Sequence, residues 1–472
     1  MLSYPAPIKK TKIIATLGPS SSSYETIKEM VRAGADGFRI NFSYGSPHEW
    51  SRLARLVLEV EEELEIILSL VGDLQGPNPR IGFLSEPMCL KRGELVELAL
   101  ADSQESVGEK KVVPVPLKSF FEVTERGDVI IMADGQTILE VLEREDHTIT
   151  ARVVEPGCIR SRNSVGIRGK VIPMPRVTEK DLSDIEFAVQ HEFSHLMVSY
   201  VESAEHVSEI REILSKRGKQ DISVIAKIES RKGVERVDSI ITEARGVVVA
   251  RGDLGKHFSL EEIPSIQKSI ASKLRAKGKI AVLATQLLTS MLNSPTPTRS
   301  EVADIYNAVL EGFDALMLTN ETAIGRYPID AVKWLSRVIV EAERHYTRRE
   351  ELLPEPKGIP ERFVLGLVKL ALSLNAKLLV FSFTGRTAEL VAQYRPTRVY
   401  FVGTPSASVA RRVKMLWGSV PLIVEAQDYR SGIDLTRKKL LETGMVTSGE
   451  VLIEAYSVTG DREYLIRIYR CA

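Results

Sequence analysis

The feature that most restricts this chain is a short apolar run that recurs, usually followed by an amphipathic helical pattern. The runs fall at residues 12–18, 37–42, 66–73, 195–200, 222–229, 246–253, 280–286 and 315–321. They are rich in Val, Ile and Leu with little alternation, the texture of strands buried on both faces. Helical periodicity separates most of them, at 24–33, 49–64, 181–190, 204–217, 263–277, 300–311 and 329–346. Strand alternating with helix predicts a parallel sheet, and eight such units favour a closed (β/α)8 TIM barrel over an open sheet.

The rhythm breaks between 73 and 177. That stretch holds short β-like pieces at 95–100, 129–133, 138–142 and 148–153, turn signals at Gly127-Asp128 and Asp134-Gly135, and no long helical pattern. It reads as a small β-barrel domain inserted after barrel strand three. A polar, Pro-containing stretch at 350–360 reads as a linker. A helix at 363–375 and strands at 378–383, 399–402 and 422–424 then predict a smaller α/β domain. The expected organisation is a catalytic barrel over 1–73 and 174–346, a lid over 74–173, and a C-terminal α/β domain over 347–472.

Bulk properties narrow the function. With 472 residues, 44% apolar and 27% charged, the chain has a globular composition and is too long for one core. Its formal net charge of zero gives no general attraction to nucleic acid. No uncharged apolar stretch approaches the ~20 residues of a membrane span. No signal-peptide apolar region opens the sequence, so a cytoplasmic location is expected. Cys89, Cys158 and Cys471 are few and scattered, which predicts neither a disulfide framework nor a zinc site.

Function in such barrels collects at the C-terminal ends of the strands. There the sequence places Arg39, Asn41 and Ser43 on one face of strand two, and Asp73 at the end of strand three. Strand five ends in Lys227-Ile228-Glu229, strand six in Arg251-Gly252-Asp253, strand seven in Thr285-Gln286, and strand eight in Thr319-Asn320-Glu321. A solvated rim explains one charge of this kind. Two acids, a lysine and an arginine at four strand ends are harder to explain that way, because charges just inside a strand end are costly to desolvate alone. Glu229 and Asp253 suit Mg²⁺, which takes a couple of carboxylates plus substrate oxygens. Lys227 and Arg39 supply positive charge for a transferring phosphoryl group. Gly252 leaves room for a substrate carboxylate, and Thr285 can orient a water. No Gly-rich P-loop is present.

These strings, in order, resemble those of pyruvate kinases. The resemblance rests on Thr11-Lys12-Ile13-Ile14-Ala15-Thr16-Leu17-Gly18-Pro19, Arg39-Ile40-Asn41-Phe42-Ser43, Ala226-Lys227-Ile228-Glu229 and Val249-Ala250-Arg251-Gly252-Asp253-Leu254-Gly255. Ala284-Thr285-Gln286, Pro297-Thr298-Arg299 and Glu321-Thr322-Ala323 with Tyr327-Pro328 complete it. It implies phosphoryl transfer from phosphoenolpyruvate to ADP, giving pyruvate and ATP, with Mg²⁺ or Mn²⁺ on Glu229 and Asp253. Arg39, Lys227, Gly252, Asp253 and Thr285 would contact phosphoenolpyruvate. Asn41, Arg80 and Lys180 would serve the nucleotide. Asn41, Ser43, Asp73 and the backbone of Leu74 would surround a monovalent cation. ADP would attack the phosphorus, and a proton relayed by water near Thr285 would turn enolpyruvate into pyruvate. The lid would exclude water, and the family implies a homotetramer.

Three departures matter. Asp73-Leu74-Gln75-Gly76-Pro77-Asn78-Pro79-Arg80 stands where the family has Asp-Thr-Lys-Gly-Pro-Glu-Ile-Arg. The replaced glutamate, here Asn78, is the one associated with potassium dependence, so K⁺ is not expected to be required. Tyr44 stands for a common His, and Thr319-Asn320-Glu321 for Ser-Gly-Glu. Ser382, Thr384, Gly385, Arg386 and Thr387 resemble the loop that binds an effector phosphate in regulated relatives, although a plain capped turn gives the same string. The distal effector loop of fructose-bisphosphate-regulated members is not recognisable at 457–461. Two other readings stay open. One is a barrel enzyme that uses phosphoenolpyruvate or pyruvate for carbon–carbon chemistry, and the other is a non-catalytic sensor of phosphorylated metabolites.

Overall fold

In the computed structural model, which describes residues 8–102, 111–170, 172–458 and 463–471, eight parallel strands close into a barrel in sequence order. They are Lys12–Thr16, Gly37–Asn41, Ser69–Leu74, His195–Val198, Ser223–Ile228, Gly246–Ala250, Ile280–Ala284 and Ala315–Leu318. Ile14, Val71, Met197, Ile225, Val248, Val282 and Met317 belong to one buried cluster, so the barrel is a packed core and not a pore.

The helices form where the pattern and caps agree. Tyr24–Ala33 buries Ile27, Met30 and Val31, spaced to share one face. Ser23 accepts the Thr26 N–H at its start, and Gly34 ends it at φ +117°, a left-handed position that favours glycine. Between strands five and six the chain forms two short helices, Arg231–Glu235 and Val237–Glu243, broken at Arg236. Neither is long enough to show a period, and sequence reading assigned none there.

Several predicted strand ends are corrected. Arg251-Gly252-Asp253 does not continue strand six but opens a helical turn, Arg251–Leu254. Strand seven stops at Ala284, because Thr285 and Gln286 take positive φ of 69° and 55°. Strand eight stops at Leu318, and Asn320–Ala323 is helical. In each case the chain turns off the barrel as soon as its apolar run ends.

The chain divides into two compact units, Met1–Leu74 with Ser183–Ala472, and Gln75–Leu182. The second has a six-stranded sheet and a two-stranded one around Phe120, Phe121, Leu139 and Val141. It extends past 173 because Asp181 accepts the Gly76 N–H at 2.9 Å and the Thr178 N–H at 3.0 Å. Cys89 and Cys158 are joined by a disulfide, contrary to the sequence expectation. Antiparallel pairing sets them directly opposite across 69 residues of chain, a neighbourhood that no local spacing reveals.

The C-terminal part carries a five-stranded sheet. Sequence reading found Lys377–Phe381, Tyr400–Thr404 and Ser419–Ile423 but missed Val451–Val458 and the antiparallel edge strand Glu463–Arg470. This sheet belongs to the same unit as the barrel, tied to it by buried ion pairs. Asp36 meets Lys9 at 2.5 Å and Lys414 at 3.1 Å, Glu61 meets Arg411 at 2.7 Å, and Asp314 meets Arg395 at 2.9 Å. The distal loop noted at 457–461 lies mostly outside the described residues.

Candidate active site

Three buried charges, Arg39, Asp73 and Glu229, meet the partly buried Lys227 where barrel strands two, three and five end. Asn41 and Asp73 are register partners on neighbouring strands, which brings Arg39 alongside Asp73. Arg39 Nε and Nη2 each reach Asp73 Oδ2 at 2.6 Å, and Nη1 donates to Thr16 Oγ1 at 3.1 Å. Lys227 Nζ lies 3.3 Å from Asp73 Oδ1 and 3.2 Å from Glu229 Oε1, and it donates to Ser199 Oγ at 2.8 Å. Glu229 Oε2 accepts the Tyr200 N–H at 2.7 Å. Burial would raise the Asp73 carboxyl, but Arg39 and then Lys227 hold it below the usual carboxylate range. Burial would lower the Lys227 ammonium, but Asp73 and Glu229 outweigh it, so the group stays charged.

Glu229 is the exception. Burial, and then the charge of Asp253, push its carboxyl up to about 7 against the opposing pull of Lys227. Two carboxylates that repel each other in a buried setting are a donor set whose strain a divalent cation relieves. The residues therefore fit Mg²⁺ or Mn²⁺. Asp253 is half-buried and pairs with Lys256 at 2.8 Å.

Strands six and seven supply the second wall. The Gly252 N–H donates to Thr285 Oγ1 at 2.8 Å, and a Cβ on Gly252 would sit 3.3 Å from that oxygen. The left-handed pair Thr285-Gln286 is held from below by Arg251. Its Nη2 donates to the Thr285 carbonyl at 3.0 Å and the Gln286 carbonyl at 3.1 Å, while Nη1 pairs with Asp304 at 2.7 Å. Glu321 is buried and accepts the N–H groups of Leu288 at 3.2 Å and Thr319 at 2.8 Å, which aligns the ends of strands seven and eight.

Three of the four groups expected around a monovalent cation are already engaged within the chain. Both Asp73 oxygens face Arg39 and Lys227, Asn41 Oδ1 accepts the Ser43 N–H at 3.0 Å, and the Leu74 carbonyl accepts Ser199 Oγ at 2.8 Å. Ser43 itself is buried.

Arg80 and Lys180 belong to the inserted unit, where Arg80 Nη1 donates to the Arg162 carbonyl at 2.7 Å. In the C-terminal sheet, Ser382 is buried just past a strand end, Gly385 takes φ +78°, and Arg386 opens the helix Arg386–Gln393. The Thr384 carbonyl accepts from Arg412. Thr387 lies in the first turn of that helix.

Sequence reading missed the roles of Thr16, Ser199, Tyr200 and Arg251. Thr16 and Ser199 were visible as polar residues near the ends of their apolar runs, and that position was the available signal. The Tyr200 contact runs through its backbone, which leaves no trace in residue type.

The barrel region, residues 8–332, matches the family model described as pyruvate kinase, barrel domain, and residues 361–462 match that of pyruvate kinase, alpha/beta domain. The pyruvate kinase of Aeropyrum pernix is 40% identical over 457 residues, spanning 97% of this chain and 98% of that relative. That of Thermotoga maritima is 33% identical, spanning 96% and 97%. The crystal structure of pyruvate kinase from Pyrobaculum aerophilum is similar, with TM-score 0.82, 33% identity and coverage of 98% and 99%. That of Cryptosporidium parvum pyruvate kinase has TM-score 0.90 and 29% identity, covering 98% of each chain.

Proposed function

The chain belongs to the pyruvate kinase family, a phosphotransferase whose substrates are phosphoenolpyruvate and ADP, and from that premise we propose how its own residues divide the reaction. The carrying observation is the Lys227 ammonium, kept charged between Asp73 and Glu229. In phosphoryl transfer the protein contributes mainly position and charge. Lys227 and Arg39 neutralise the transferring phosphoryl group, and Lys227 also faces the negative charge that develops on the enolate oxygen. Asp73 and Thr16 fix the Arg39 fork, and Ser199 fixes the Lys227 head. The Gly252 backbone and Asp253 position the substrate carboxylate. Thr285 Oγ1, its lone pair engaged by the Gly252 N–H, keeps its own proton to donate or relay to the enolate carbon through water.

The family uses a divalent metal, and Glu229 and Asp253 are the residues proposed to hold it, as Mg²⁺ or Mn²⁺. When bound, the ion supplies charge neutralisation for phosphoryl and carboxylate oxygens. K⁺ is proposed to be dispensable. Asn78 and the engagement of Asp73, Asn41 and the Leu74 carbonyl support that reading. Arg80 and Lys180, with Asn41, are proposed to serve the nucleotide phosphates. The turn at Ser382–Thr387 is proposed as an effector-phosphate site, to be tested by titrating sugar phosphates against Arg386→Ala. A homotetramer is proposed from the family. The edge strand Glu463–Arg470, with Leu465, Ile466 and Ile468 exposed, supplies an unpaired apolar rim for assembly, and light scattering checks it. No helix among the described residues is long and apolar enough to cross a membrane, and a cytoplasmic location is proposed.

Lys227→Met tests the assignment. Its charge acts mainly in the transition state, so turnover should fall by about 10²–10³-fold or more with KM for phosphoenolpyruvate little changed. Unchanged turnover would remove Lys227 from the chemistry.

A further inference from the structure

A second cluster of charge lies at the opposite end of the barrel. A cavity of about 100 Å³ separates the starts of barrel strands five to eight from two C-terminal helices, Arg386–Gln393 and Ala407–Val413. The catalytic groups stand at the other ends of the same strands, ~15 Å away along strands of this length.

Arg245, Arg275, Lys279, Arg395 and Arg412 line the cavity, against only Asp314 and Glu389. Both acids are engaged. Asp314 Oδ2 accepts from Arg395 at 2.9 Å and from the Ala281 N–H at 2.8 Å. Glu389 accepts from Arg412 at 2.8 Å and Arg245 at 2.9 Å. Among the described residues, Lys279 Nζ donates to the carbonyls of Ala244 at 2.7 Å and Thr242 at 3.2 Å.

Arg275 is the decisive residue. It is 3% exposed, and its Nε and Nη2 have no hydrogen-bond partner among the described residues. Arg395 Nη1 and Arg412 Nε are in the same condition. A buried guanidinium N–H without an acceptor is costly, and several like charges around one void repel each other. Burial and like charge act on these groups in the same direction. Burial, and then Arg245 and Arg211, push the Lys279 ammonium down to about 8, and burial, with Arg395 and Arg349, lowers Arg275 as well. An oxyanion removes both penalties at once, since its oxygens accept from several forks and its charge balances the cations.

We propose that this cavity binds a phosphate-sized tetrahedral oxyanion, free or as the phosphoryl end of a small metabolite, with Arg275 as its principal ligand. The site is separate from the Ser382–Thr387 turn and from the catalytic end of the barrel. Because its ligands come from both barrel and C-terminal helices, occupancy joins the two.

The full-length protein, melted in chloride buffer at constant ionic strength, should show a saturable rise in Tm with inorganic phosphate or glycerol 3-phosphate. The ligand acting at lower concentration tells whether the free anion or the monoester is preferred. Arg275→Met, which keeps the bulk, should raise Tm in anion-free buffer and weaken the apparent affinity by at least about tenfold. Arg386→Ala should leave the response intact. A crystal soaked in selenate should show an anomalous peak within hydrogen-bonding distance of Arg275. An empty cavity in that map, or an Arg275→Met protein that binds phosphate as well as its parent, overturns the proposal. So does a fall in Tm on that substitution in anion-free buffer, which marks Arg275 as a satisfied structural residue.

Discussion

Arg251 shows how a single side chain can shape a turn in the candidate site through backbone carbonyls. Thr285 and Gln286 occupy left-handed backbone positions that cost non-glycine residues energy. The Arg251 guanidinium holds both carbonyls and so maintains the turn that aims Thr285 at the Gly252 N–H. Arg251→Met should therefore lower kcat/KM for phosphoenolpyruvate by roughly tenfold, the equivalent of about one lost charge-assisted hydrogen bond. Steady-state kinetics checks this, and unchanged kinetics would assign the turn to other contacts. At this scale the sequence was a good guide to residue type. Arg39, Asp73, Lys227 and Glu229 stood out because charges at the ends of apolar runs demand partners, and the structure brings those four together. It was a poor guide to bonds made by backbone, such as Tyr200 to Glu229, because any residue supplies an N–H.

Elements were legible where burial on both faces or a helical period marked them. All eight barrel strands fall within predicted runs or one residue beyond them, and Tyr24–Ala33 coincides with its prediction. The losses have physical causes. The pair Arg231–Glu235 and Val237–Glu243 is too short to display a period, and the edge strand Glu463–Arg470 is mostly exposed and lacks a buried pattern. The Cys89–Cys158 disulfide depends on strand pairing across 69 residues, which spacing alone cannot encode. The joint between the starts of barrel strands one and two and the C-terminal part is an element-scale device of buried charge. Asp36 faces Lys9 and Lys414 and accepts the Ile13 N–H at 2.9 Å, while Lys12, pushed down to about 7 chiefly by burial, donates to the Ser419 carbonyl at 2.8 Å. Burial would raise the Asp36 carboxyl, but Lys9 and then Lys414 hold it well below its ordinary value. A depressed carboxyl gives stability that is present above the unfolded pKa, near ~4, and is lost as pH falls from there toward the folded value. Asp36→Asn should cost about 3–5 kcal/mol at neutral pH, since it strands buried cations, and should flatten the acid limb of stability below ~pH 4. Urea unfolding across that range measures both, and an unaltered acid limb would place the acid sensitivity elsewhere.

For the whole molecule, the barrel gathers the candidate site's charges at one end of its strands and meets the C-terminal sheet at the other. The charges of the candidate site and the buried ion pairs of that joint are therefore separated by the length of the strands. Fold class and function were both legible because several independent strings occurred in order. Matches over residues 8–332 and 361–462, and 40% identity to the Aeropyrum pernix pyruvate kinase, agree with that reading. The reading of Asn78 and of the engaged Asp73, Asn41 and Leu74 oxygens adds a prediction about K⁺ that is specific to this chain. The most direct test is pyruvate formation from phosphoenolpyruvate, with ADP, Mg²⁺ and K⁺ each supplied or withheld. Pyruvate that requires both ADP and Mg²⁺ and forms equally without K⁺ is the predicted result. No ADP-dependent pyruvate under any condition would contradict the phosphotransferase assignment, and a strict K⁺ requirement would contradict the cation reading alone.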